Sequence, residues 1–127
     1  MTDKEKKKLI RKLLKKYKDK YYLHLWKIYP VYSDEDMPYE ITEKTSDKAC
    51  YMVREYANFD AYALFNLDNF DTEKEIDEIV KHELVHLVLM PYDWLIETHA
   101  KEVNQDDYIC CREQVTEHLT RILLEEK

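Results

Sequence analysis

The sequence predicts an α+β fold, built as a single domain over residues 1–127. Helical apolar periodicity occurs at both ends of the chain, and three short aromatic and aliphatic runs lie between them. The last two runs have no helix between them, which predicts a small, mainly antiparallel three-stranded sheet. The composition, 45% apolar and 37% charged, is that of a folded chain and not of a disordered one. We therefore expect helices packed against one sheet.

The first element is a helix from residue 3 to about 19. Its apolar face is formed by Leu9, Ile10, Leu13, Leu14 and Tyr17. Residues 1–20 hold ten Lys/Arg against three Asp/Glu, a charge of +7, while the remainder of the chain carries −14. We favour a helix that packs its apolar face on the domain and solvates its lysines, because no second basic patch extends a nucleic-acid footprint. Nucleic-acid association through this helix stays as an alternative partner.

The sheet is expected from three runs: residues 21–31, 49–57 and 61–67. Pro30 should end the first strand or lie at a sheet edge. A turn at Asn58–Asp60 joins the second and third strands, and Trp26, Val53 and Leu64 should contribute to the core.

The chain contains no glycine, and this absence excludes whole classes of site. Phosphate-binding loops and dinucleotide folds need glycine where the backbone approaches a ligand closely. Turns must then rely on Asn and Asp, as at Asn58/Asp60 and Asn69/Asp71. The three cysteines form neither a disulfide framework nor a CxxC zinc site. With no apolar run near the roughly 20 residues of a membrane span and no secretory leader, we expect a cytoplasmic protein without a membrane partner.

Three further helices should follow the sheet. Thr72 and Glu75 match a capping box, which begins a helix over residues 72–90 that Pro91 ends. A shorter helix is expected over residues 93–102. The last helix should run from 108 to about 125, capped by Asp106 or Asp107, with a core stripe of Cys111, Val115, Leu119 and Ile122.

The helix before Pro91 contains the segment "KHELVHLVLMP", residues 81–91, in which three ionisable residues lie among apolar ones. From Leu84 onward the helix is apolar all round, which predicts burial on every side. His82 and His86 are four residues apart and share one helix face, so both imidazoles can reach one metal ion. Zn²⁺ suits this pair, with Glu83 placed to take a proton from a zinc-bound water. This is the H-E-x-x-H pattern of zinc metallopeptidases; the alternative is a pair of core histidines bonded to backbone carbonyls.

A catalytic zinc site needs a third protein ligand. The extended H-E-x-x-H-x-x-G-x-x-H pattern is absent, since Leu89 and Tyr92 occupy its last two positions. The candidates downstream are Glu97, His99, Glu102, Glu113, Glu117 and His118.

The stretch "REQVTEHLTRIL" carries Glu113 and Glu117 one helical turn apart, 27 and 31 residues after His86. Together with the H-E-x-x-H segment it resembles the gluzincins, and most closely the single-domain minigluzincins and their small phage-type relatives, from about Leu9 to Glu125. The resemblance implies that His82, His86 and Glu113 bind one zinc ion per chain and that Glu83 is the general base. It implies that Glu117 accepts the second ring N–H of a ligand histidine, although thermolysin-like enzymes have Asp at that position.

The resemblance also implies that the third strand, with Ala63, Leu64 and Phe65, is the rim where an extended peptide substrate adds as a further strand. We thus expect a zinc metalloendopeptidase. His99 is the alternative third ligand, which would give a three-histidine site similar to SprT-like proteases that act near DNA. The donor that stabilises the transition state is left open among His99, His118 and a tyrosine within 92–108. The competing function is a zinc-stapled binding or regulatory domain without turnover.

Overall fold

The computed structural model describes residues 1–55, 57–99 and 104–124. It confirms the α+β class, with a three-stranded mixed sheet and four helices among these residues. In chain order the elements are α1 (Asp3–Lys20), β1 (Lys27–Val31), β2 (Cys50–Glu55), β3 (Asp60–Phe65), α2 (Glu73–Val88), α3 (Met90–His99) and α4 (Gln105–Leu124). No helix in this part of the chain is both long and apolar enough to cross a membrane.

Helix α1 packs on the domain as predicted. Thr2 and Glu5 cap it reciprocally, and Ile10, Leu13, Leu14 and Tyr17 are buried. These side chains meet Ala61, Ala63 and Phe65 of the sheet and Val80, Leu84 and Leu87 of α2 in one core. The core therefore holds α2 between α1 and the elements on its other side, β2 and α4.

The sheet has the order β1-β3-β2, with β3 in the centre. Strands β2 and β3 are antiparallel as predicted, whereas β1 runs parallel to β3. The expectation that Ala63, Leu64 and Phe65 form a substrate-edge strand is wrong. Both sides of β3 are hydrogen-bonded to neighbouring strands, and these three residues are at most 1% exposed, so no peptide can add there. The edges of the sheet are β1, which contains Pro30 as expected of an edge strand, and β2.

Residues 21–26 do not extend β1, which begins only at Lys27. Helix α1 continues to Lys20, and its C-terminal turn uses the backbone groups that a strand would need. The N–H of Tyr21 donates to the carbonyl of Tyr17, and that of Leu23 donates to the carbonyl of Lys18. Tyr22 takes the left-handed conformation, with φ of 58°. The other positive φ in the described chain is that of Phe59, 54°. The predicted Asn58–Asp60 turn is present, but its left-handed residue is aromatic and not Asn or Asp.

Helix α2 begins as predicted, with Thr72 accepting a hydrogen bond from the backbone of Glu75. It ends at Val88, and Val88 is 44% exposed, so burial is not complete on every side. Pro91 does not end this helix but lies in the first turn of α3, where a missing N–H costs no helical hydrogen bond. Helix α3 ends at His99, and the rest of its predicted range, including Glu102, lies outside the described residues.

Helix α4 differs most from its prediction. The side chain of Asn104, and neither Asp106 nor Asp107, accepts the capping hydrogen bond. The predicted core stripe is wrong, because Cys111, Val115 and Ile122 are exposed while Tyr108, Thr116 and Thr120 are buried. The two threonine hydroxyls donate to carbonyls one turn earlier in the same helix, so their burial leaves no donor unpaired. Compared with the predicted orientation, α4 is rotated about its axis, and Glu113 and Glu117 face the histidines of α2.

Candidate metal centre

Helices α2 and α4 bring His82, His86 and Glu113 together. The Nε2 atom of His82 lies 3.7 Å from Oε2 of Glu113, and Nε2 of His86 lies 3.6 Å from Oε1 of the same carboxylate. One donor atom from each of the three residues lies within 4.8 Å of the others. The two imidazole planes are inclined at 78°, with ring centroids 5.0 Å apart. The structure therefore assembles three donors drawn from two separate helices.

The geometry of this cluster fits a zinc ion. Tetrahedral zinc with ligands at about 2.0–2.1 Å places neighbouring donor atoms about 3.4 Å apart. The two histidine-to-carboxylate separations, each to a different oxygen of Glu113, are close to that value. Two imidazoles with one carboxylate are a ligand set typical of catalytic zinc, and three protein donors leave a fourth position for water or substrate. The donor chemistry is thus that of a zinc site, and one donor atom from each residue lies within 4.8 Å of the others.

Glu117 and His82 have the arrangement of a metal ligand with an outer carboxylate. Nδ1 of His82 lies 3.2 Å from Oε2 of Glu117, on the opposite side of the ring from the Nε2 that faces Glu113. A carboxylate on Nδ1–H fixes the tautomer that leaves Nε2 free to bind a cation. Arg121 lies one turn farther along α4, 3.2 Å from the other oxygen of Glu117. The longer side chain of Glu, compared with Asp, reaches the ring here.

Glu83 and His86 have pKa values shifted in opposite directions. Burial, and then the negative charge of Glu113, raise the pKa of Glu83 to about 8, while Arg54 and Lys48 act against this rise. Burial, and then the neighbouring His82, lower the pKa of His86 to about 3. His86 is therefore neutral across the physiological range, which is the form that binds metal.

These shifts predict how the metal-free protein responds to pH. Because the native pKa of Glu83 is about 8 and its ordinary value is 4.5, the native state keeps a proton that the unfolded chain releases. The contribution of Glu83 to stability is present below pH 4.5 and is lost as pH rises toward 8. Glu83→Gln, which cannot ionise, should therefore be more stable than the parent at pH 8, by about 2–4 kcal/mol in urea unfolding of metal-free protein.

His86 gives the internal control for this measurement. Its native pKa is depressed, so its contribution to stability is lost as pH falls from 6.5 toward 3, in parent and variant alike. The difference between the two proteins should therefore be small at pH 4 and grow toward pH 8. A difference that stays constant with pH would contradict the raised pKa of Glu83.

A cleft of about 640 Å³ opens beside the three-residue cluster. One wall is the helix-facing side of β2, with Cys50, Met52 and Arg54, and α2 and α4 supply the rest. Among the described residues, the hydrogen-bond donors that line it outside the histidine pair are Lys48, Tyr51, Arg54 and Arg112. The sequence did not single out any of them. For Arg54, the alternation of side chains along β2 was the available signal, because Arg54 shares a strand face with Cys50 and Met52.

The other candidates named from the sequence lie away from this cleft. The ring of His99 stacks edge-to-face on Trp94 at the end of α3, and His99 is not part of the cluster. His118 lines a second pocket along α4, which Glu113 and Glu117 also border, and it is not part of the three-residue cluster. Tyr92 is 70% exposed on α3, and the hydroxyl of Tyr108 donates to Asp93 at 2.8 Å. None of these four residues lines the cleft, so the arrangement gives no support to a three-histidine site.

Arg54 is held in the cleft wall by a buried network. One nitrogen of its guanidinium donates to Asp93 at 3.2 Å, and the second carboxylate oxygen of Asp93 accepts from Tyr108. Asp93 is 4% exposed and Tyr108 is 7% exposed. The network joins β2, α3 and α4, which are the elements that surround the site.

Breaking this network should destabilise the fold. Asp93→Asn keeps an acceptor for Tyr108 but leaves Arg54 as a largely buried charge without its carboxylate, a loss of about 3 kcal/mol in urea unfolding. The matched control is Glu97→Gln, which removes the partially exposed partner of Arg112 and should cost less than about 1 kcal/mol. Equal effects of the two substitutions would contradict a structural role for the buried pair.

Arg112 supports the Glu113 carboxylate from the side. Its Nε lies 3.6 Å from Oε1 of Glu113, a terminal nitrogen lies 3.4 Å from Glu97, and the guanidinium covers the ring of Tyr108. This cation partly balances the charges that converge on the cluster.

No family model, no curated protein and no solved structure matches this chain, so its relationship to the gluzincins stays a prediction drawn from the motif.

Proposed function

We propose that this protein is a zinc-dependent metallopeptidase. The observation that carries the proposal is the convergence of His82, His86 and Glu113 on one point, with Glu83 beside them in the same cleft. The H-E-x-x-H order puts the two histidines and the glutamate on neighbouring positions of one rigid helix. A cluster that served only to neutralise charge would not need a cleft of about 640 Å³ beside it.

The chemistry divides between a cation and the residues of the chain. When bound at the cluster, zinc would supply a Lewis acid that lowers the pKa of water toward about 7 and a charge that favours the carboxylate form of Glu83. Glu83 accepts a proton from the attacking water, whose oxygen forms a bond to the peptide carbonyl carbon. Glu83 then gives that proton to the departing nitrogen as the C–N bond breaks. The products are a carboxylic acid and an amine, and the acid then gives its proton to the amine or to solvent.

The substrate would lie along β2. This strand is an edge of the sheet, and its face with Cys50, Met52 and Arg54 borders the cleft. An extended peptide can add to such an edge through main-chain hydrogen bonds, with alternate side chains entering the cleft. The role that the sequence suggested for β3 is thus proposed for β2, its neighbour in the sheet.

Metal analysis combined with a cleavage assay tests the function. Full-length protein, purified without chelator, should hold about one equivalent of zinc and should cut an unfolded protein substrate or a mixed peptide library. A chelator should abolish cleavage, and added zinc should restore it. Zinc-loaded protein that cuts no member of the library would rule out the peptidase proposal.

A zinc-stapled domain without turnover is the second candidate, and the packing of α4 favours it. This helix buries threonines against α2 and leaves Val115 and Ile122 about half exposed, so apolar burial contributes little to its attachment. A metal ion shared between α2 and α4 would then fix α4 in place. In this case zinc removal should release α4, seen as a loss of helical circular dichroism, and no cleavage should accompany the bound metal.

A further inference from the structure

The turn after α1 exposes an apolar surface at one end of the molecule. Tyr22 is 85% exposed and Leu25 is 73% exposed, the two highest values among the large hydrophobic side chains of the described chain. They line a shallow groove with Phe59, Val88 and Pro91, and we call these five residues the end patch. Residues 21–26 fit the pattern of a strand in the sequence, so only the structure reveals that Tyr22 and Leu25 face water.

The backbone holds the end patch outward in an unfavourable conformation. Tyr22 and Phe59 are both left-handed, which is uncommon for aromatic residues. The hydrogen bond from Leu23 N–H to the carbonyl of Lys18 fixes the turn, and Trp26 packs edge-to-face on Phe59 beneath it. A fold that keeps two strained aromatic residues next to exposed leucine points to a binding surface.

Basic side chains line α1 up to the end patch. From residue 7 to 20 the helix carries eight Lys/Arg and one acidic residue, Asp19, and none of the eight is buried. They lie opposite and on the flanks of the buried stripe of Ile10, Leu14 and Tyr17. The last of them, Lys16, Lys18 and Lys20, lie within the final five residues of α1. The surface is therefore apolar at its end and basic along its side.

We propose that α1 and the end patch dock this protein on an anionic lipid surface. Lysines attract anionic headgroups, and exposed Tyr and Leu side chains enter the interface between headgroups and acyl chains. A nucleic acid would use the same lysines and could stack on Tyr22, but it offers no apolar environment to Leu25 or Val88. The expectation of no membrane partner depended on the absence of a spanning segment, and this surface would lie on a membrane without spanning it. The inference is independent of the metal centre.

Vesicle sedimentation tests the proposal. Full-length protein should bind phosphatidylserine/phosphatidylcholine vesicles at low salt, bind pure phosphatidylcholine weakly, and lose affinity at high salt. The double variant Tyr22→Asn/Leu25→Ser should bind at least about tenfold more weakly. Asn is chosen because it tolerates the left-handed conformation. The control Val115→Ser/Ile122→Ser removes two apolar side chains of α4 that are 48% and 49% exposed, and it should bind like the parent.

Charge variants complete the design. Lys16→Gln/Lys20→Gln should weaken vesicle binding by roughly fivefold per lysine, whereas Lys44→Gln/Lys74→Gln, on other surfaces, should not. Unchanged thermal unfolding shows that each variant is folded. The proposal is overturned if the parent does not bind anionic vesicles, or if the Tyr22→Asn/Leu25→Ser variant binds them as well as the parent does. It is also overturned if duplex DNA displaces the protein from the vesicles and binds the parent and this variant equally.

Discussion

Glu83→Gln is expected to lower kcat for peptide hydrolysis by roughly 10²–10⁴-fold while zinc stays bound. Glutamine has nearly the same volume and keeps the local packing, but it cannot accept a proton from water at neutral pH. It also cannot return that proton to the departing amine. Since the side chain is proposed to act on the proton and not on the metal, zinc stoichiometry and affinity should change little.

The measurement compares kcat, KM and zinc content of parent and variant on one fluorogenic peptide. A loss confined to kcat indicates an interaction made in the transition state, whereas a rise in KM alone indicates weaker substrate binding. Glu73→Gln is the matched control, because Glu73 lies exposed in the first turn of the same helix, away from the cleft. Hydrolysis that survives Glu83→Gln at the parental rate would remove Glu83 from the mechanism.

Local patterns in the sequence were sufficient for part of this structure. The apolar face of α1 and the Thr72 cap of α2 depend on residues within a few positions of one another, and both predictions are confirmed. The pairing of His82 with His86 follows from helix periodicity in the same way. The approach of Glu113 could be anticipated only through the resemblance, since no pattern within α4 relates it to a helix some 30 residues earlier.

The failures have a common physical cause, which is competition between local pattern and tertiary packing. Apolar periodicity chose Cys111, Val115 and Ile122 as the buried side of α4, but the helix is rotated so that Thr116 and Thr120 face α2. Small hydroxyl side chains allow close approach and satisfy their own donors, which a hydrophobicity pattern does not register. The position of β3 was missed for a related reason: a strand that is apolar on both faces indicates burial, and a buried strand belongs in the centre of a sheet.

The network beside the candidate metal centre extends this contrast. Arg54, Asp93 and Tyr108 come from three different elements, successive members are 39 and 15 positions apart in the sequence, and no local pattern joins them. Their charges and hydrogen bonds are compensated only after β2, α3 and α4 have assembled. Residues that belong to one helix can thus be assigned from sequence, whereas the groups that surround them depend on the complete fold.

Glu113→Ala is expected to weaken zinc binding by at least about 100-fold, more than the 10–100-fold typical of losing an outer-shell carboxylate. Removing Glu113 leaves two imidazoles on one helix and takes away the only proposed ligand that connects α2 to α4. Glu117→Ala should fall in the smaller range, because its carboxylate contacts His82 at Nδ1 and not at the converging point. Competition with a chromophoric chelator measures all three proteins on one scale.

His99→Ala is the decisive comparison for the third ligand. His99 packs on Trp94 outside the cluster, so its removal should leave zinc affinity within about twofold of the parent. If His99→Ala lost zinc while Glu113→Ala retained it, the site would be a three-histidine centre and α4 would have to be repositioned to explain it. The proposed order of zinc affinities is parent and His99→Ala together, then Glu117→Ala, then Glu113→Ala. This order follows only if the carboxylate of Glu113 completes the site. Neither a third ligand at Glu117 nor one on α3 would produce it.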